Sequence, residues 1–157
     1  MLNIFKKILC ISHHEEVELG LMKEYFSNND YNVKIFKPLH DSILPDDLSN
    51  FSAVVILGGA MNVCDTEEFP GLLKEKEWIK NLTNTNMPVL GICLGAQLVA
   101  NALGAKVEKH KHSAVEIGYK DIDIKSDNDL FKSCPKKVYH WHAQGFNLPK
   151  KANILAT

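Results

Sequence analysis

The stretch Pro88-Val-Leu-Gly-Ile-Cys-Leu-Gly-Ala-Gln-Leu-Val-Ala-Asn-Ala-Leu-Gly104 constrains the chain most. Val89 to Ile92 is a short apolar run behind a proline, the pattern of a buried strand in a parallel sheet. Ala96 to Leu103 is rich in helix formers, and Gly104 stands where a helix stop belongs. Between them lies Gly91-Ile-Cys93-Leu-Gly95, a G-x-C-x-G turn with its cysteine at the strand-to-helix junction. A nucleophile there points up out of the sheet on a strained backbone, so its close neighbours must be small. The helix start offers unpaired N–H groups and a positive dipole end, which can lower a thiol pKa and receive a developing oxyanion. Cys93 is therefore the expected nucleophile. The plainer alternative is a buried cysteine in a glycine-spaced turn.

A chain of 157 residues suits one domain, 1–157, with a sizeable core. Its 45% hydrophobic and 24% charged residues are ordinary for a soluble globular protein. A net charge of -1 gives no electrostatic case for nucleic acid or for an anionic membrane as partner. The apolar run Ile8 to Ile11 is too short for a signal peptide or a membrane span. Cysteines 10, 64, 93 and 134 form no C-x-x-C pair and read as reduced thiols of a cytoplasmic protein.

Along the chain, Lys6 to Ser12 reads as a buried strand and Glu15 to Phe26 as an amphipathic helix. Ser27 to Asp30 is a turn, and Tyr31 to Phe36 alternates like a second strand. Pro38 to Asn50 is loop. Phe51 to Leu57, nearly all apolar and β-branched, reads as a central strand ending in Gly58-Gly59. Leu72 to Leu82 is a charged amphipathic helix. After Gly104, Lys106 to Glu108, Val115 to Ile124, Lys137 to His142 and Ile154 to Ala156 read as strands, with a short helix or turn at Asp127 to Lys132. The early strand–helix alternation predicts an α/β fold with a doubly wound, mostly parallel sheet and right-handed crossovers.

Sites in such a sheet lie at the C-terminal ends of strands, where His13-His14, Gly58-Gly59 and Cys93 fall. A bare Gly58-Gly59 backbone can bring the Gly59 N–H close to the cysteine and, with the Leu94 N–H, form an oxyanion hole. An ordinary Gly-Gly turn is the alternative, and His13 and His14 read as loop residues. His140-Trp-His142 places two imidazoles on one face of a strand. A metal there needs a third and fourth ligand, and none stands at ligand spacing, so no metal is expected. His142 is expected to line the cysteine pocket; the alternative is a half-exposed strand with a buried Trp141. His110 and His112 read as surface residues.

Taken together, these residues resemble the class I, triad-type glutamine amidotransferase family, and within it the glutaminase domain of GMP synthases. The Ile56-Leu-Gly-Gly-Ala-Met61 turn, the acidic stretch Asp65 to Pro70 with Leu72-Leu73 and Glu77, Pro88 to Gln97, Glu116-Ile-Gly-Tyr119 and His140-Trp-His142 carry the resemblance, which runs from about Lys6 to the C-terminus. It implies a flavodoxin-like, three-layer fold lacking its last elements. It also implies that Cys93 attacks the side-chain amide of glutamine, or of a γ-glutamyl small molecule, through a γ-glutamyl thioester. Gly59 and Leu94 would hold the oxyanion, with Gly58, Gln97 and His142 at the substrate. No cofactor is implied. The partner would be an ammonia-accepting synthetase, or the glutaminase would stand alone.

The sequence departs from the family pattern at Ala60, where proline is usual, at Gly71, where an aromatic is usual, and at Ala143-Gln144, where Gly-Asp is usual. The family also draws its base from a His-x-Glu on a later strand, and no His-x-Glu follows Cys93 here. Three explanations compete: a fragment of a longer product, a natural short form that has lost catalysis, or a local histidine, His142, standing in as base. Without the base these residues are expected to hydrolyse feebly; the alternative is a non-catalytic glutamine-binding module. A homodimer covering the sheet edge left by the missing elements is expected too. Other cysteine enzymes with an elbow remain as alternatives: the DJ-1-like fold usually has His where Leu94 stands, and an α/β-hydrolase would draw on Asp121 to Asp129 and then His140 or His142.

Overall fold

The computed structural model describes residues 6–16, 19–40, 43–110, 114–127 and 129–157. Strands β1 (Lys6–Ile11), β2 (Tyr31–Phe36), β3 (Ala53–Ile56) and β4 (Val89–Gly91) form one parallel sheet in the order β2-β1-β3-β4. This is the start of the flavodoxin-like order 2-1-3-4-5. Helix α1 (Leu21–Asn28) joins β1 to β2, α2 (Gly71–Leu82) joins β3 to β4, and α3 (Leu94–Ala102) follows β4. The β1–β2 and β3–β4 steps run in opposite directions across the sheet. Right-handed crossovers therefore put α1 on one face and α2 on the other.

The core follows from period two meeting period 3.6. Leu9 and Ile11 on β1 and Val54 and Ile56 on β3 point to one face, where they meet Ile79 and Leu82 of α2 and Leu94 and Leu98 of α3. The opposite side of β1 carries Ile8 and Cys10. Burial pushes the Cys10 thiol up to about 11, which keeps it protonated and inert.

Three expectations need correction here. The first helix starts at Leu21, not Glu15: His14 to Glu16 form a bend, and Gly20 adopts φ +53° just before the helix. A left-handed residue cannot be extended backwards as helix. Val17 lies outside the described residues. Strand β4 is parallel as expected but not buried. It sits at the edge of the sheet, and Leu90 is 52% exposed. Ile154 to Ala156 makes an isolated bridge, Ile124 to Ala156, in place of a strand.

Past Gly104 the chain forms two antiparallel pairs. Strand β5 (Val107–Lys109) pairs with β8 (Gln144–Phe146), and β6 (Glu116–Asp121) pairs with β7 (Lys137–His142). Strand β8 is not among the sequence expectations; Gln-Gly-Phe is too short for its alternation to show. Asp129–Phe131 forms a 3-10 turn. No helix among the described residues is long and apolar enough to cross a membrane.

Candidate active site

Cys93 occupies the N-cap of α3 with φ +52° and ψ -113°. Such a conformation costs a non-glycine residue about 1–3 kcal/mol and persists only where its surroundings enforce it. Here they do. A Cβ on Gly91 would sit 2.7 Å from the Ala96 nitrogen, and one on Gly95 only 2.1 Å from the Ile56 carbonyl oxygen. The two glycines thus let α3 seat directly on β3 and turn back against β4. At the far end Gly104, φ +85°, closes α3 as the sequence predicts. The Gly104 N–H bonds the Asn101 carbonyl and the Ala105 N–H the Ala100 carbonyl, the two bonds of a Schellman stop.

The Cys93 side chain is exposed at the floor of an open pocket of ≈ 620 Å³. Gly59, Met61, Gln97, Trp141, His142 and Gln144 are among its walls. The sulfur lies 3.9 Å from the Trp141 carbonyl oxygen. A Cβ on Gly58 would fall 3.3 Å from Cys93 Cβ, and one on Gly59 2.8 Å from Leu94 Cδ2. Glycine is what allows the end of β3 to run this close to the cysteine. The structure therefore brings Cys93, Gly58, Gly59, Leu94, Gln97 and His142 into one neighbourhood. Gln97 is nearly buried, and its Nε2 donates to the Gln144 carbonyl at 3.2 Å, tying β8 to α3. The Gln144 side chain is buried in the pocket wall with Oε1 unpartnered among the described residues. A buried acceptor left without a donor costs about 1–3 kcal/mol.

Beneath this neighbourhood lies a pair that sequence reasoning missed. His13, read above as a loop residue, is buried at the end of β1. Its Nδ1 is 3.2 Å from the Gly58 carbonyl oxygen, and its Nε2 is 3.0 and 3.1 Å from the two carboxylate oxygens of Glu75 on α2. All three partners accept, so both ring nitrogens donate. Burial works against the imidazolium. The hydrogen bond and charge of Glu75, helped by the Gly58 and Leu57 carbonyls, outweigh it and raise the His13 pKa above its ordinary value. A signal did exist: Glu75 stands three and four residues from Leu72 and Ile79, on the buried side of α2.

A second cluster lies on the β6–β7 pair. His140 Nδ1 is 3.2 Å from Glu116 Oε2, and His142 Nε2 is 3.3 Å from the same oxygen. His110, expected on the surface, is half-buried, with Nε2 3.0 Å from His142 Nδ1. His112 lies outside the described residues. Burial lowers the His142 pKa, and the neighbouring imidazoles reinforce this against the pull of Glu116. The His140 hydrogen bond lowers that of Glu116. Trp141 is not the buried residue of the alternative reading: it is 71% exposed, and the imidazoles face inward.

Residues 18–157 match the family described as glutamine amidotransferase class-I. The chain is 35% identical over 99 residues to a glutamine amidotransferase-like protein of Acanthamoeba polyphaga mimivirus, a match covering 63% of this chain and 47% of that one. It is 43% identical over 77 residues to one of the subunits of the glutamine-hydrolyzing GMP synthase of Pyrococcus furiosus, covering 45% and 38%. These matches span less than half the length of either relative. Among solved structures, a glutamine amidotransferase from Thermotoga maritima superposes with a TM-score of 0.88 at 33% identity, over 98% of this chain and 67% of that one.

Proposed function

The chain belongs to the glutamine amidotransferase class-I family, and on that premise we propose that its pocket takes glutamine, or a γ-glutamyl small molecule, for attack by Cys93. The Cys93 thiolate adds to the side-chain amide carbon. The C–N bond then breaks, ammonia leaves carrying the proton that the thiol gave up, and water hydrolyses the γ-glutamyl thioester to glutamate, returning the thiol its proton. The N–H groups of Gly59 and Leu94 receive the oxyanion. One such donor is worth about 10²–10³-fold in rate.

His13 has a positioning role in this scheme. Gly58 and Gly59 share one peptide unit, and none of the described peptide bonds is cis. Held by its carbonyl on the His13 side, a planar trans unit must point the Gly59 N–H the other way. The buried His13–Glu75 pair thereby fixes the direction of the proposed oxyanion donor.

The observation that carries this reading is a cysteine with φ +52° at a helix start, open to a pocket. The imidazoles of His13, His110, His140 and His142 are engaged with other partners. General-base help is worth about 10²–10⁴-fold. The 157-residue chain is therefore expected to hydrolyse glutamine slowly, and faster when a segment bearing a His-x-Glu is supplied. The GMP synthase relatives from Pyrococcus furiosus and Methanococcus aeolicus, each one subunit of its enzyme, suggest an ammonia-accepting synthetase as partner.

A glutamine analogue bearing an electrophilic carbonyl tests the proposal. Stoichiometric labelling of Cys93, protected by glutamine, is expected. A folded protein whose Cys93 is not labelled overturns the reading. The engaged imidazoles favour one second reading, a glutamine-binding module without turnover. It predicts calorimetric binding of glutamine that Cys93→Ala leaves unchanged, with no ammonia released by either form.

A further inference from the structure

We propose that Glu116, His140 and His142 form a binding site for a divalent transition-metal ion, for which zinc is the best fit. The sequence offered only His-x-His, two ligands on one strand. The register of the β6–β7 pair supplies the third. Glu116 is the cross-strand partner of His142, and Gly118 is the partner of His140. All four positions lie on the half-buried face of the pair, and Gly118 places no side chain over the histidines.

The distances match a coordination triangle. His140 Nδ1, His142 Nε2 and Glu116 Oε2 stand 3.2, 3.3 and 3.3 Å apart. Tetrahedral zinc with bonds of about 2.0–2.1 Å has edges between ligand atoms of about 3.3 Å. An ion on the axis of this triangle therefore lies at bonding distance from all three atoms. It would keep its fourth position for water or another ligand. Two imidazoles and one carboxylate are a donor set that zinc accepts, and one too rich in nitrogen for calcium or magnesium.

Behind the triangle stands a supporting shell. With Nε2 on a metal, His142 would carry its remaining proton on Nδ1, 3.0 Å from His110 Nε2. Metal-bound imidazoles commonly donate in this way, and the partner fixes tautomer and ring orientation. His110 is itself held: its backbone N–H donates to the Ala143 carbonyl, and a Cβ on Gly145 would come within 3.1 Å of its ring. Glycine on β8 leaves the space in which this ring sits. His110, Glu116 and His142 also offer ligand atoms within 4.8 Å of one another. The tighter triangle assigns His140 to the ion and His110 to the shell behind it. His142 lines the Cys93 pocket as well, so a bound ion would stiffen that wall of it.

The proposal does not rest on glutamine chemistry and is tested without it. The metal-free chain is titrated with Zn²⁺ against a chromophoric chelator, and Co²⁺ serves as the spectroscopic probe. One ion per chain is expected, with Co²⁺ showing tetrahedral d–d bands and no thiolate charge-transfer band. His140→Ala and Glu116→Gln should each weaken Zn²⁺ binding by more than the 10–100-fold typical of an outer-shell loss. His110→Ala should stay within that 10–100-fold range. These side chains are partly exposed, so the variants should melt like the parent. Three results would overturn the site: no stoichiometric Zn²⁺ binding, binding indifferent to His140→Ala and Glu116→Gln, or binding lost in Cys93→Ala. A larger loss from His110→Ala than from His140→Ala would overturn the ligand assignment.

Discussion

The two halves of this molecule are built differently. Among the described residues, all the buried apolar side chains but Pro149 lie between Ile8 and Ala105. Beyond that point Val115, Ile117, Tyr119, Tyr139 and Trp141 are more than half exposed. The sheet half is held by packing. The ribbon half is held by strand pairing and by the Gln97–Gln144 bond. Yet the pocket takes its floor from the first half and much of its wall from the second. The Cys93 sulfur is thus mounted on the packed part, while much of the pocket wall belongs to a part with little core beneath it. Segments with few buried contacts open locally at a fraction of the global free energy.

The largest effects should fall where the packed half hides charge. Removing one partner of a buried pair costs about 3–5 kcal/mol, so Glu75→Ala should lower denaturant stability by that amount. A loss below about 1 kcal/mol would mean that the pair is not buried in solution. The pair also predicts a pH slope. The His13 pKa is raised on folding, so its contribution is complete below the ordinary value of 6.5 and fades as pH rises through the folded pKa. Stability should fall across that range in the parent and stay flatter in Glu75→Gln.

Next comes Gly95→Ala. Its methyl would meet the Ile56 carbonyl at 2.1 Å, and overpacking of this kind costs about 3 kcal/mol. Cys93→Gly should move the other way. It relieves a positive φ and should raise stability by about 1 kcal/mol while abolishing thiol labelling. Smallest are changes on the outer face of the ribbon: Ile117→Thr should shift stability by less than about 0.5 kcal/mol. A large loss there would mean that the ribbon is packed after all. Hydrogen exchange sharpens the contrast, with β1 and β3 protected to the global limit and β6 and β7 exchanging earlier.

The parallel sheet could be read from the chain because period-two and wholly apolar runs are local signals; the order of its strands came only with the structure. The elbow was legible for the same reason: Gly91, Cys93 and Gly95 lie within one turn. What escaped reading was non-local. Nothing near His13 announces Glu75, sixty-two residues away. Nothing near His140-Trp-His142 announces Glu116, which only the strand register brings across. The burial of β4 was overestimated because apolar content reports what a strand could cover, not whether a neighbour lies beyond it.

The close seating of Gly95 on β3 leaves the backbone at Cys93 little mechanical play. Its bearing is set as a key is set by its slot, so thermal motion in the aromatic wall above can open or narrow the pocket without swinging the backbone that carries the thiol. A tolerance tighter than one methyl group thus uncouples the seat of the cysteine from the movement of the wall above it.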